Sequence, residues 1–336
     1  MCDEPRDGHE LCGEPFLSGL VAFRKAVLLL INSIPRVLES HSMSDATISE
    51  VMNSAGVQLT CAGVEDPFLN VCVLVGHALG LAPDDVPNHT ERVLTEEEIS
   101  FIGSLIDRRA RRETLNRIIG KGEFCGLWFQ MNEATLEPRP ESEIIVHAVL
   151  KKMKTLFWRL RPHKPLRVLD LGTGSGCILL SFLHALPNAT GLGIDLAPRA
   201  VEQARENAKR LGLEKRCEFR INNWDTGIEE KFDIVSFNPP YIPISDGPKL
   251  MRAVRDYDPP LALYGGEDGL DPYRIVIPAL PRLIKKGGFA GIELGDGQTD
   301  AVGVLLKKAA FSDIALSIDA RGFERVFVVR QTSDGI

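Results

Sequence analysis

Apolar residues recur at helical spacing through the first third of the chain. Leu17–Leu38 carries one such stripe. Phe68–Leu81 carries another, with Val71, Leu74, Val75 and Leu79 on one face. Thr95 followed by Glu98 reads as a capping box that opens a third helix, Glu96–Ala110. Residues 1–15 mix glycine, proline and charge and read as a frayed terminus. From Glu123 to Leu136 the residue types favour strands, with a turn at Asn132-Glu133. Pro138-Arg139-Pro140 then forbids both helix and ladder, and predicts an extended linker. Helical spacing resumes over Glu141–Leu156, with Ile144, Ile145, Ala148, Val149 and Met153 facing inward.

Beyond Leu166 the pattern becomes an alternation of short apolar runs and amphipathic stretches. Strands are predicted at Arg167–Leu171, Gly191–Asp195, Cys217–Ile221, Phe232–Phe237, Phe289–Leu294, Asp313–Ile318 and Arg325–Val329. Helices are predicted at Gly176–Ala185, Pro198–Leu211, Ile275–Ile284 and Asp300–Ala310. Such alternation implies parallel strands joined by crossover helices, a doubly wound, Rossmann-like α/β sheet. The chain thus divides into a helical part (1–120), a β-hairpin and proline linker (121–140) and an α/β domain (141–336).

Composition narrows the function classes. The chain of 336 residues is 44% apolar and 25% charged, as ordinary globular proteins are. Its longest apolar stretch, Leu17–Ile34, is interrupted by Arg24 and Lys25, and reads as an amphipathic helix rather than a membrane span or signal peptide. A net charge of −7 argues against broad, stable binding to a nucleic-acid backbone. Seven scattered cysteines without a C-x-x-C pair, and seven dispersed histidines, suggest no metal site and no disulfide framework. A reducing, cytoplasmic setting is expected. Arg108, Arg109, Arg111, Arg112 and Arg117 crowd one stretch and read as a solvated helix face, with a docking surface for an acidic protein or for RNA carried with it as the alternative.

Two loops carry chemistry. The first predicted strand runs into Gly172-Thr173-Gly174-Ser175-Gly176, a turn whose glycines let backbone approach a ligand closely. The second strand ends in Asp195, spaced to accept hydrogen bonds from ribose hydroxyls. A dinucleotide would want glycine where Cys177 stands, and its pyrophosphate would be repelled by Asp170. S-adenosylmethionine has no phosphate and carries an ammonium and a sulfonium, so the nearby carboxylate favours it. The fourth strand ends in Asn238-Pro239-Pro240-Tyr241. An amide or exocyclic amine nitrogen is a poor nucleophile because its lone pair is delocalised. The Asn238 carboxamide oxygen and the Pro239 carbonyl can hold its N–H groups, and Tyr241 offers a face for a planar group. Methyl transfer to nitrogen by orientation, without metal or covalent intermediate, follows.

Asn-Pro-Pro-Tyr resembles the motif of amino-group methyltransferases acting on adenine N6, guanine N2 or protein glutamine N5. Further segments narrow the likeness: Phe124–Phe129, Pro138–Glu143, Tyr257–Leu270, Glu293-Leu294-Gly295 with Gln298, and Asp319 with Arg321, Gly322 and Arg325. Together these are similar to the HemK/PrmC family over about residues 100–330. The resemblance implies methylation of the glutamine in the Gly-Gly-Gln loop of class 1 peptide-chain release factors, in translation termination. It implies cofactor binding by Gly172 to Gly176, Asp195, Trp224 and Asn238, with Trp224 near the adenine, and substrate binding by Asn238, Pro239, Pro240 and Tyr241. One departure stands out: Glu137 occupies a place where the family carries an aliphatic residue. The helical part is expected to dock the release factor, and to be dispensable for cofactor binding. The competing readings are a nucleobase amino methyltransferase and a non-catalytic assembly protein on the same fold.

Overall fold

The computed structural model describes residues 46–156 and 165–332. The helix expected over Leu17–Leu38 and the terminus before residue 15 lie outside the described residues.

The helical part begins with α1 (Ile48–Cys61), capped by reciprocal hydrogen bonds between Thr47 and Glu50 that the apolar spacing did not signal. α2 (Pro67–Leu79) and α3 (Glu96–Ala110) follow, the latter with the predicted Thr95–Glu98 capping box. A short α4 (Leu115–Ile119) closes the group. Ile48, Leu59, Val71, Leu74, Val75, Ile102 and Leu105 form its own apolar cluster.

The hairpin comes next: β1 (Lys121–Phe124) pairs antiparallel with β2 (Leu127–Gln130). Its turn is Cys125-Gly126, both at positive φ as a two-residue hairpin turn of the primed type requires. Asn132 makes a separate turn, its Oδ1 accepting the Ala134 N–H at 2.9 Å. Phe124 and Phe129 are both fully buried, with ring centroids 6.4 Å apart. The linker is extended at Arg139, and Pro140 already starts a 3₁₀ turn, Pro140–Ser142, leading into α5 (Glu143–Leu156).

The α/β part has a seven-stranded sheet in the order β5-β4-β3-β6-β7-β9-β8. These strands are β3 (Arg167–Leu171), β4 (Thr190–Asp195), β5 (Cys217–Ile221), β6 (Phe232–Phe237), β7 (Ile284–Glu293), β8 (Asp313–Ile318) and β9 (Glu324–Arg330). Helices α6 (Cys177–Ala185), α7 (Pro198–Arg210), α8 (Asp271–Val276) and α9 (Thr299–Lys308) connect them. One apolar layer packs α5, α6 and α7 on the sheet, and a second packs Tyr273, Val276, Val302 and Leu306 on the other face. The central strand β6 is buried along its whole length.

Two expectations are corrected. β9 runs antiparallel to both neighbours, because β8 returns through a tight turn too short to hold a crossover helix. The single helix predicted over Ile275–Ile284 is three short pieces, and Ile284 already belongs to β7; Pro278 and Pro281 interrupt its ladder.

The arginine stretch is a solvated face only in part: Arg111 is exposed, whereas Arg108, Arg109, Arg112 and Arg117 are half-buried. The Arg117 side chain is 7% exposed and pairs with the buried Asp258 at 2.5 Å. Asp258 also accepts from Arg139 of the linker at 2.6 Å, so one carboxylate ties α4, linker and α/β part together. Arg108 pairs with Glu113, and Arg109 donates to Asn70 Oδ1 at 2.6 Å. Glu137 is buried too, accepting from Thr114 Oγ1 at 2.6 Å and Asn116 Nδ2 at 2.8 Å. A chain cut near Glu123 would strip Glu137 of both partners and Asp258 of Arg117, leaving Asp258 only Arg139, so the helical part is not cleanly dispensable.

Arg117→Ala is expected to lower stability by about 3 kcal/mol, the low end for an uncoupled buried charge, since Arg139 remains. Urea unfolding followed by circular dichroism measures this. Asp246→Ala, which breaks an exposed ion pair with Lys249, should cost under about 1 kcal/mol.

Candidate active site

Strand register builds the site. Leu171 pairs with Ile194 on one side and Phe237 on the other, and Phe237 pairs with Ile292. The residues that follow, Asp195, Gly172, Asn238 and Glu293, therefore leave the sheet in a row at its carboxyl edge. Strand order reverses between β3 and β6, and doubly wound folds bind ligands at that switch point. A cavity of about 730 Å³ opens there. It is lined by Gly172, Thr173, Gly174, Ser175, Asp195, Trp224, Asn238, Pro239, Pro240, Tyr241 and Glu293. Of the sequence-chosen residues, Gly176 alone is not on this wall. It caps α6, packed beneath against Ala204 and Leu180.

The glycine loop has φ of +76°, +54° and +81° at residues 172, 174 and 176, a backbone that side chains disfavour. A Cβ on Gly172 would stand 3.4 Å from the Trp224 ring, which itself packs edge-on against Phe237 at 5.4 Å. Asp195 braces the loop: Oδ2 accepts the Gly174 N–H at 2.8 Å and Oδ1 the Ala197 N–H at 2.9 Å. Asp170 lies fully inside, held by the hydroxyls of Thr173 and Ser236, each at 2.7 Å. Burial pushes its carboxyl up to about 6, and also raises that of Asp195.

On the other side, Asn238 Nδ2 donates to Ser142 Oγ at 3.1 Å. That bond leaves Oδ1 for an incoming N–H. Tyr241 donates its hydroxyl to Glu293 Oε1 at 3.2 Å, and the Glu293 charge and burial together raise the tyrosine well above its ordinary value. Gln298 Nε2 donates to the Tyr241 carbonyl at 2.9 Å. A Cβ on Gly265 would lie 2.4 Å from the Pro240 carbonyl oxygen, so only glycine lets that loop back the Asn-Pro-Pro-Tyr segment.

The wall fits the cation inferred from the sequence. Its three arginines are each paired with a carboxylate: Arg139 with Asp258, Arg321 with Glu141, Arg325 with Asp319. Asp195, Asp170 and Glu293 have no such partner, and Ser175 Oγ and Glu293 Oε2 are buried without a hydrogen bond among the described residues. A phosphate-bearing cofactor would find no free basic clamp here, whereas an ammonium and a sulfonium find acceptors. Ser142, Glu293 and Gln298 were not singled out for roles by sequence chemistry; only the resemblance touched them, as members of its matching segments. Elsewhere, donor atoms of Cys125, Glu143 and His147 lie within 4.8 Å of one another. The Cys125 N–H takes one Glu143 oxygen and burial pushes its thiol up to about 11.

Comparison with known proteins agrees with this geometry. A family model described as "Methyltransferase domain" matches residues 162–293, and one described as "PrmC N-terminal domain" matches residues 50–120. The chain is 39% identical over 292 residues to the release factor glutamine methyltransferase of Rhodospirillum rubrum, covering 87% of each. It is 39% identical over 298 residues to that of Bradyrhizobium diazoefficiens, covering 88% of this chain and 98% of that one. The solved hMettl16 catalytic domain, in complex with MAT2A 3'UTR hairpin 6, superposes with a TM-score of 0.50 at 15% identity. It covers 73% of this chain and 87% of that one, a likeness of fold alone. Fold and site define an S-adenosylmethionine-dependent methyltransferase. The cavity, the Asn-Pro-Pro-Tyr edge and the helical part occur together here, and the chain belongs to the release factor glutamine methyltransferase family. Among the described residues no helix is long and apolar enough to cross a membrane.

The raised carboxyl of Asp170 gives a stability test. Its protonated form is favoured in the fold, so its contribution is fully present below the unfolded value of 3.8 and is lost as pH rises through about 6. Asp170→Asn removes that slope. Thermal melts should therefore show the variant gaining on the parent between about pH 4 and pH 7; a difference independent of pH would contradict the burial of an unpaired carboxyl.

Proposed function

We propose that this chain transfers a methyl group from S-adenosylmethionine to N5 of the glutamine in the Gly-Gly-Gln loop of class 1 release factors. The observation that carries the reading is Asn238: its amide is oriented by Ser142 at the sheet's switch point, beside the glycine loop, with Oδ1 left as an acceptor. Gly172, Thr173, Gly174, Ser175 and Asp195 would hold the cofactor, with Asp195 accepting from its ribose and Trp224 packing near the adenine. Gly176 supports that loop from below. The cofactor, when bound, supplies an electrophilic methyl on sulfur. Asn238 Oδ1 and the Pro239 carbonyl would accept the two N–H groups of the glutamine amide and turn its lone pair toward the methyl. Pro239 and Pro240 keep these acceptors rigid, and Tyr241 supports the planar group. Rate then comes from orientation rather than from a covalent intermediate.

A glutamine side chain alone offers little surface, so selecting one loop needs contacts away from the reacting atom. We assign that role to residues 1–120, and the hairpin and linker of 121–140 would set the angle at which the loop enters the domain of 141–336. The protein would work in the cytoplasm, where release factors act. A nucleobase amino methyltransferase is the second reading; the net charge of −7 weighs against it.

Mass spectrometry of a release factor incubated with this protein and S-adenosylmethionine should find one methyl on the Gly-Gly-Gln glutamine. Methyl appearing on nucleic acid instead would refute the reading. Asn238→Ala should keep the fold and cofactor affinity yet lower single-turnover transfer by at least about 100-fold; near-parental turnover would refute its acceptor role. Asp195→Ala should weaken cofactor binding by about 1–3 kcal/mol in calorimetry.

A further inference from the structure

Glu293 is the neighbour of Asn238 across the sheet. Phe237 and Ile292 are register partners, so Asn238 and Glu293 leave β6 and β7 side by side, with Cα atoms about 5 Å apart by strand spacing. Glu293 is 3% exposed and lines the same cavity. Its Oε1 accepts the Tyr241 hydroxyl, whereas Oε2 is buried with no hydrogen bond among the described residues. A buried carboxylate oxygen without a donor is costly unless a ligand brings one. The proposed reaction brings one, because the amide nitrogen that gains a methyl carries one proton too many and must lose it inside the cavity.

We infer that Glu293 receives this proton, its Oε2 sharing with Asn238 Oδ1 one of the two N–H groups of the glutamine amide while the Pro239 carbonyl keeps the other; the inference rests on the proposed glutamine methylation. The nitrogen lone pair forms the new C–N bond, and the electron pair of the broken C–S bond passes to sulfur. The N–H electrons stay on nitrogen while the proton moves to Oε2. A cationic sulfonium and an anionic carboxylate thereby become a neutral thioether, a neutral N-methyl amide and a neutral carboxylic acid. Removing two opposite charges at once suits a buried site, where each charge is expensive. The acid then passes its proton to water when the product leaves.

The surroundings match the task. Tyr241 and Ser142 face the carboxyl, Tyr273 donates to the Glu293 backbone carbonyl at 2.8 Å, and the charge of Arg325 on β9, itself held by Asp319, also acts on it. Glu141 lies near as well, bound by Arg321, and Arg139 near Tyr241 is bound by Asp258. Burial outweighs the hydroxyls and Arg325 and pushes Glu293 up to about 7, with Glu141 pushing the same way. A cation in the cavity pulls it down again, so the carboxyl is ionised at neutral pH when reaction starts.

The test is single-turnover methylation of a release factor by the full chain with saturating S-adenosylmethionine, from about pH 5.5 to pH 8.5, for the parent, Glu293→Gln and Glu293→Asp. The parent rate should fall toward acid with a midpoint at or below about 7. Glu293→Gln keeps an oxygen for the Tyr241 hydroxyl but cannot take a proton. It should bind cofactor normally in calorimetry, react about 100-fold more slowly and lose the acid limb, with Glu293→Asp between. A Glu293→Gln rate within a few-fold of the parent, with the same pH profile, would overturn the inference and leave the glutamine reading intact. If circular dichroism shows Glu293→Gln unfolded, the parent profile decides: a rate that stays flat into acid overturns the inference, and an acid limb that Glu293→Asp displaces supports it. A parent that methylates no glutamine would defeat the functional reading itself.

Discussion

Everything in the site hangs on one line of strand register. Ile194, Leu171, Phe237 and Ile292 sit abreast across β4, β3, β6 and β7. In the proposed reaction the residue after each is a ribose acceptor, a loop glycine, an amide acceptor or a buried acid. A slip of one residue in any strand would swing its side chains to the opposite face and break the row. The two apolar layers hold the register, since β6 is buried on both faces and has no freedom to shift without exposing phenylalanines 232 and 237.

The second organising feature is charge. Carboxyls accumulate around the cavity while each arginine on its wall is already paired. Burial holds Asp170, Asp195 and Glu293 above the ordinary carboxylate range, and among the described residues none of the three is ion-paired. Such a cavity repels phosphates and welcomes a sulfonium.

The third feature is the attachment of the helical part. Asp258 binds Arg117 and Arg139 at once, and Glu137 binds Thr114 and Asn116. Position 137, where the family carries an aliphatic residue, thus holds a carboxylate satisfied by two polar side chains of the helical part. Asp258 precedes the loop whose Gly265 backs the Asn-Pro-Pro-Tyr segment. A contact that orients the helical part and one that shapes the substrate edge are therefore only a few residues apart.

Local signals were legible in the chain itself. The Thr95–Glu98 capping box, the strands at Cys217–Ile221 and Phe232–Phe237, the glycine loop, Asp195 and the Asn-Pro-Pro-Tyr edge all depend on residues close in sequence, where spacing and residue type suffice. The reversed direction of β9, between β7 and β8, was not legible, because a strand has the same alternation whichever way it runs. Nor was the burial of Arg117, which is set by Asp258, 141 residues away. The turn expected at Asn132-Glu133 is present, but the hairpin's own turn was not located, because Cys125 gives no sign that it must adopt positive φ. Ser142 and Glu293 are ordinary polar residues in the sequence; only their convergence on Asn238 and Tyr241 sets them apart. Sequence alone determined which loops carry the atoms that the proposed chemistry needs, because residue type and short spacing suffice to name them. The tertiary structure decided which carboxylates are buried and which are paired, because burial and pairing are properties of distant segments brought together.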